Sequence, residues 1–467
     1  MFTVADNPSF KHLALPLVLQ GRPILGGGGN TSAITTRNRN NRELHGEYIK
    51  RRSAELSRFW KERQIDRVHL NLPTIETGVP ILLEIDPSSD IDFLRGLGFE
   101  IVCEIEEGFI IVATDDIDFE LLNKKTDVFI SNIVSRCNSP AKIYALCEDT
   151  DRLSRILTSD LYSKWSSIDD DQVYLIDIGV SCCGNVELPK QPQKKSDEDY
   201  EHYADRLRKW RDKFTDAYII WDELKIKREN IIESFVRAYN CEIVEFVDGS
   251  PGFVGLPDSF SARLRINGKC LRDLVQNFAY IFEASESEQI NMGNIQSQLQ
   301  PVIDDVTILS PSPTSPIICV IDSGIQEEHK YISPAILSHD SKSLVSFGSS
   351  VSDEVSEGGH GTRVAGAILY PREIPIHGTY ELPCWVRNYK VLSSNNRMPM
   401  DLYPPKVISS VVEDYSRKTD PPTKIFNHSI GAGKACDLKH MSPWAAEIDL
   451  QSYENDVLFI GCVTINS

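Results

Sequence analysis

Asp322 and His360, 38 positions apart, are the residues whose types and surroundings could do chemistry together. Asp322 closes the apolar run Ile317-Ile318-Cys319-Val320-Ile321 and is followed by Ser323-Gly324. A short run that is apolar at every position reads as a strand buried on both faces, and sheets of such strands bind ligands beyond their carboxyl ends. His360 lies in Gly358-Gly359-His360-Gly361-Thr362-Arg363-Val364-Ala365-Gly366. Glycines at a helix start let backbones approach closely and leave an imidazole free to point outward. A histidine oriented by a carboxylate can serve as a general base. An aspartate after a strand, taken alone, is usually a cap or turn residue, so the order and context of the two residues carry the reading.

The elements that must hold this pair follow from periodicity. In residues 316–467, strands are expected at 316–322, 385–392, 423–430 and 456–466. Helices are expected at 359–369, at 402–418 with Pro404 and Pro405 in the first turn, and at 443–455. Alternating strands and helices predict a parallel sheet with helices on both faces. Upstream, residues 79–136 read as βαββαβ, closing with a strand at 128–134. Residues 174–283 give a looser second copy, with strands at 174–180, 241–247, 261–267 and 280–284 and helices at 228–239 and 270–278. The expected fold is therefore an α/β domain preceded by two α+β modules of ferredoxin-like type. A further helix is inserted in the second copy, where Tyr200, Tyr203, Leu207, Trp210 and Phe214 follow 3-4-3-4 spacing. That seam is expected to bury Tyr203, Leu207 and Trp210 inside the chain.

The expected division is an N-terminal segment at 1–70, a first module at 71–140, a second at 141–285, a linker at 286–315 rich in Ser, Glu, Gln, Asn and Pro, and the α/β domain at 316–467. The N-terminal segment contains an amphipathic helix over about 43–63 with Tyr48, Ile49, Leu56, Phe59 and Trp60 on its apolar face. Between Arg37 and Arg63 there are nine basic and four acidic residues, a local cationic stretch that reads first as a solvated helix face and second as a dock for an acidic partner.

Composition narrows the function classes. At 467 residues, and roughly 100 to 200 residues per domain, several cores are expected. With 49 Lys and Arg against 68 Asp and Glu, the net charge of -19 disfavours nucleic acid as the main partner. No apolar run reaches the ~18 to 20 residues that span a bilayer. The start, MFTVADNPSF, lacks the features of a secretory signal, so a cytoplasmic location is expected. Eleven cysteines, an odd number without repeated spacing, read as reduced thiols. Gly26 to Gly29 have no Lys-Ser/Thr after them and read as a connector, not a phosphate loop.

The segments V-I-D-S-G-I, G-G-H-G-T-R-V-A-G and N-H-S-I-G resemble the subtilisin-like (subtilase, S8-type) serine peptidases, over roughly the last 150 residues. That resemblance implies an Asp-His-Ser triad in this chain order, with Asp322 orienting the base and His360 acting as it. It also implies that Ser429, Ile430 and Gly431 line the wall on which a peptide adds as a strand, and that Asn466 is the oxyanion residue. Two departures are visible. Ile465 precedes Asn466 where the family has Gly, and the family's Gly-Thr-Ser segment does not occur; the Gly-Thr pairs continue as Arg363 and Tyr380.

The expected function is a serine endopeptidase of subtilisin type whose nucleophilic serine lies outside this sequence, so that these residues alone are inactive. The alternative is a catalytically inactive regulatory or partner-binding protein. The resemblance implies protein or peptide substrates and no required cofactor; many relatives bind calcium through ligands that one sequence does not single out. The two-module layout further resembles cytoplasmic bacterial subtilases encoded beside an AAA-type ATPase, which would then be a partner.

Overall fold

The computed structural model describes residues 32–75, 78–131, 137–186, 189, 191–195, 198–287, 306–345, 350–355, 359–432 and 441–461. The chain opens with helices α1 (Ala33–Asn40) and α2 (Arg42–His69). Ile49, Leu56 and Trp60 of α2 are buried, whereas Phe59 is exposed. The cationic stretch is largely spent on ion pairs within the chain: Lys50 with Asp127, Arg52 with Glu55, Lys61 with Asp118, and Arg63 with Asp149. Arg42 reaches the Phe129 carbonyl and Asn138 Oδ1. Apart from Arg52–Glu55, which lies within α2, these bonds fasten the helix to the module behind it.

The first sheet contains β1 (Val79–Ile85), β2 (Glu100–Glu106), β3 (Phe109–Thr114) and, after α3 (Glu120–Ser131), β4 (Ile143–Leu146). Its order is β2-β3-β1-β4, antiparallel throughout. Two expectations need correcting here. The strand expected at 128–134 is helix α3 as far as Ser131, with residues 132–136 outside the described set. Leu122, Thr126 and Phe129 are buried at helical spacing, and that period outweighs the β propensity of Val128 and Ile130. The closing strand is β4, which carries the first sheet past the expected boundary at 140.

The second sheet follows α4 (Asp149–Ile156) and α5 (Ser159–Lys164). It contains β5 (Val173–Ser181), β6 (Glu242–Ile243), β7 (Phe253–Gly255), β8 (Ser259–Asn267) and β9 (Ile281–Glu286), with α6 (Tyr200–Ala238) and α7 (Gly268–Asn277) between them. The order is β6-β8-β5-β9 with β7 on β8. Leaving β7 aside, this repeats the strand order of the first sheet. The inserted helix and the helix expected at 228–239 are one 39-residue helix, α6. Burial on it begins at Ala217, so Tyr203, Leu207 and Trp210 are only half-buried, contrary to expectation. Trp210, Phe214, Tyr218 and Trp221 follow one another along it as tilted ring pairs with centroids 4.9 to 5.2 Å apart.

The two modules share a core. Period-2 alternation sends Ile81, Leu83, Ile110 and Val112 to the side packed by α2, and Leu82, Ile111 and Ala113 into the cluster built by β5, β8 and α7. A sheet buried on both faces explains the unbroken apolar runs at 79–83 in β1 and 109–113 in β3.

The third region contains β10 (Val306–Leu309), β11 (Ile317–Asp322), β12 (Lys342–Ser343), α8 (His360–Leu369), β13 (Gly378–Glu381), β14 (Trp385–Lys390), α9 (Pro404–Val412), β15 (Ile425–His428), α10 (Pro443–Asn455) and β16 (Leu458–Gly461). Five strands form a parallel sheet in the order β12-β14-β11-β15-β16. Cys319 and Ile321 of β11 pack on the α9 side and Val320 on the α8 side, which places β11 at the centre of the layers. The expected linker at 286–315 is narrower than drawn. β9 takes in Glu286, β10 pairs with β13, and Trp385 Nε1 donates to the Ser312 carbonyl at 3.0 Å; residues 288–305 lie outside the described set.

Candidate active site

Asp322 is the last residue of β11, between β14 and β15. Its carbonyl accepts from Val391 N at 2.8 Å and Leu392 N at 3.2 Å, which ties the strand end to the chain leaving β14. Its side chain is fully buried, and Oδ1 accepts from Ser323 N at 2.7 Å.

His360 is the first residue of α8. Its Nδ1 lies 2.9 Å from Asp322 Oδ1 and 2.8 Å from Oδ2, and the ring keeps 14% of its side-chain surface exposed. A buried carboxylate accepts only, so Nδ1 carries the proton and the neutral ring presents Nε2 as an acceptor. The hydrogen bond to Asp322 raises the His360 pKa above the usual histidine value; partial burial opposes it, the charges of Asp322 and Asp353 add to it, and Arg363 reduces it. An imidazole held in one tautomer with raised basicity is equipped to take a proton from a neighbouring hydroxyl.

Backbone packing fixes the distance between the two residues. Gly361 N donates to Ser323 Oγ at 3.0 Å. A Cβ on residue 361 would lie 2.3 Å from the Gly324 carbonyl oxygen and 3.1 Å from Asp322 Cβ, so only glycine admits this approach of helix to strand. Behind the pair, Lys390 faces Asp322 across β14 and β11 and is almost fully buried. Its Nζ donates to the Ser352 carbonyl at 2.7 Å and Glu354 Oε2 at 2.8 Å. Sequence reasoning missed Ser323, Asp353 and Lys390. Ser323 was open to detection through its place beside Asp322, while nothing local distinguishes the other two.

Ser429, Ile430 and Gly431 directly follow β15. Because Val320 pairs with Asn427, they leave the sheet at the same end as Asp322. Ile430 is buried in the cluster beneath α9, while Ser429 and Gly431 are half-exposed. Ser429 Oγ donates to Asn427 Oδ1 at 2.8 Å. Asn466 lies outside the described residues. His428 is not part of the pair: it is buried against Trp444, with ring centroids 4.9 Å apart, and burial pushes its pKa down to about 4.

Among the described residues, no group of three or more His, Cys, Asp or Glu side chains could hold a metal ion, and no helix is long and apolar enough to cross a membrane. The nine described cysteines are free thiols. No curated protein matches the chain. Residues 314–464 match the Peptidase S8 model of the subtilase family, so the buried Asp322, the helix-start His360 and the parallel sheet that joins them lie within a subtilase domain.

Proposed function

We propose that this domain carries the acid–base half of a subtilisin-type peptidase, with Asp322 as the orienting carboxylate, His360 as the base, and protein or peptide as substrate. The observation that supports it most is the grip of both Asp322 oxygens on His360 Nδ1 at the carboxyl end of the central parallel strand. In this reading His360 Nε2 takes the proton of a serine hydroxyl as its oxygen attacks the peptide carbonyl. The protonated ring then returns that proton to the leaving amine, giving an acyl-enzyme. Water deprotonated by the same nitrogen releases the acid and restores the serine. Ser429 to Gly431 offer the backbone edge on which a substrate strand adds, and Asn466 supplies the oxyanion contact. An AAA-type ATPase partner and a cytoplasmic location belong to the same reading and rest on the resemblance in layout alone.

The nucleophile is supplied in this proposal by a serine outside the 467 residues, so the chain alone binds substrate without cleaving it. A second reading, a regulatory or partner-binding protein without peptidase activity, is favoured by one observation. Among the described residues no serine hydroxyl is hydrogen-bonded to His360, and the sequence contains no Gly-Thr-Ser. The experiment is covalent labelling of purified chain 1–467 by a fluorophosphonate probe, alone and joined to the coding sequence downstream of Ser467. No label in the first and a label lost with His360→Ala in the second are expected for the peptidase. A downstream stop codon, or a folded extended protein that stays unlabelled, establishes the regulatory reading instead.

A further inference from the structure

We infer that Asp353 is a positioning residue for His360, its buried carboxylate completing the first turn of α8 in place of a cap side chain and adding a second negative charge near the imidazole. The inference rests on the reading of His360 as the base of the Asp322 pair.

A helix leaves its first N–H groups without intrahelical acceptors, and the residue at the cap position usually supplies one from a Ser, Thr, Asp or Asn side chain. In α8 that position is Gly359, which has no side chain to give. Ser323 Oγ serves Gly361 N, and Asp353 Oδ2 serves Thr362 N at 3.2 Å and Thr362 Oγ1 at 3.0 Å. The cap therefore comes from seven residues before the first residue of the helix.

The glycine is what admits it. A Cβ on residue 359 would sit 1.6 Å from Asp353 Oδ2 and 1.7 Å from its Cγ, so the carboxylate fills the space a side chain there would need. Asp353 is almost fully buried, a placement that is costly for a carboxylate unless donors surround it. The negative charge is also favourable at a helix N-terminus.

The segment around Asp353 is held from β14. Asn388 Nδ2 donates to the Val351 carbonyl at 2.9 Å, and Lys390 Nζ holds Ser352 and Glu354. Gln326 Nε2 donates to the Asp353 carbonyl at 2.5 Å. The charged groups that act on the imidazole are Asp322 and Asp353, which favour its protonated form, and Arg363, which opposes it; Glu354 is paired with Lys390. Asp353 thus acts on His360 through the helix start and through its charge, without touching a reacting atom.

The test is an NMR titration of the His360 imidazole in the full 467-residue chain. Asp353→Asn keeps an oxygen acceptor for Thr362 and removes the charge. We expect it to weaken proton binding at His360 at least about threefold, a downward shift of about half a pH unit. A purely structural cap would be rescued by asparagine, so an unchanged His360 titration in Asp353→Asn overturns the inference. Gly359→Ala gives an independent check: by expelling the carboxylate it should weaken proton binding as much as Asp353→Asn does, and an unchanged titration there also counts against the inference. Asp322→Asn separates the two levels of the argument. If it leaves the titration unmoved, the Asp322–His360 reading fails, whatever Asp353 does.

Discussion

Ser323 Oγ accepts the backbone N–H of Gly361 at 3.0 Å, so the strand end carrying Asp322 and the helix start carrying His360 are bonded to each other one residue away from the pair. A hydroxyl beside the carboxylate thus does the work of a helix cap while setting the separation of two functional side chains. Ser323 is fully buried, which leaves Gly361 N no alternative acceptor in solvent when the hydroxyl is lost. Ser323→Ala should cost about 1 to 2 kcal/mol of unfolding free energy in urea. It should also broaden or shift the His360 imidazole resonances. A variant with wild-type stability and an unmoved His360 spectrum would mean that packing alone holds the helix start.

Glycines 361 and 366 share helix α8 and should respond in opposite directions to alanine. A Cβ at 361 meets the Gly324 carbonyl oxygen at 2.3 Å, and backbone cannot swing aside, so Gly361→Ala should lose about 1 to 3 kcal/mol through forced displacement of helix from strand. A Cβ at 366 meets nothing within 4 Å, and Gly366→Ala should gain about 0.5 to 1 kcal/mol from helix propensity. Thermal or urea unfolding of the two single variants decides the matter. Equal effects would show that the close approach at 361 yields easily.

What the sequence disclosed about this site is what neighbouring residues could encode. The run 317–321 and the glycines around His360 determine strand, helix start and side-chain direction locally, and Asp322 and His360 meet as expected. Asp353 escaped because its role depends on the space left by Gly359 and on Lys390 and Asn388, which arrive from another strand. The ion-pair partners of the cationic stretch were hidden from the sequence for the same reason. Lys61 finds Asp118 and Arg63 finds Asp149, partners that lie far along the chain and become neighbours only after folding. The two-module reading survived with changed edges, since βαββαβ periodicity is local while the choice between α3 and a strand at 128–134 depended on what Phe129 packs against.

Two buried groups should pull stability in opposite directions across the same acidic window. His428 is buried and its pKa is pushed down from 6.5 to about 4, so the unfolded chain takes up a proton that the folded one refuses. Its contribution is fully present above pH 6.5 and falls by up to about 3 kcal/mol as pH drops toward 4. Glu447 is buried on α10 with its pKa pushed up from 4.5 to about 7, so the folded chain keeps a proton that the unfolded one loses. Its contribution is present below pH 4.5 and is lost, again by up to about 3 kcal/mol, as pH rises toward 7. Glu447→Gln should therefore raise unfolding free energy at about pH 8 and change it little at about pH 4, while His428→Leu should flatten the loss between about pH 6.5 and 4. Urea titrations across this range test both. A Glu447→Gln variant destabilised equally at every pH would show that the carboxylate is ionised and satisfied in the folded state.

The last prediction concerns how the second module is fastened to the subtilase domain. Arg263 of β8 forms a fork on Asp177 of β5, with Nε to Oδ1 at 2.7 Å and Nη2 to Oδ2 at 2.8 Å. Its remaining nitrogen, Nη1, crosses to the carbonyls of Met400 at 2.9 Å and Leu402 at 3.3 Å, just before α9, and the guanidinium lies 5.1 Å from the Tyr403 ring. Arg263 is almost entirely buried. Removing it leaves a carboxylate and two carbonyls without a donor inside the protein, and Arg263→Met should cost about 3 to 5 kcal/mol. Arg263→Lys keeps the charge but cannot serve Asp177 in fork geometry and reach across at the same time, so it should recover only part of the loss. Because the bond network joins two sheets, its loss should also separate their unfolding. One urea transition in the wild type should become two in Arg263→Met, the module and the domain melting apart. A single, merely shifted transition would place the coupling elsewhere, with Phe246 in the α9 cluster as the next contact to remove.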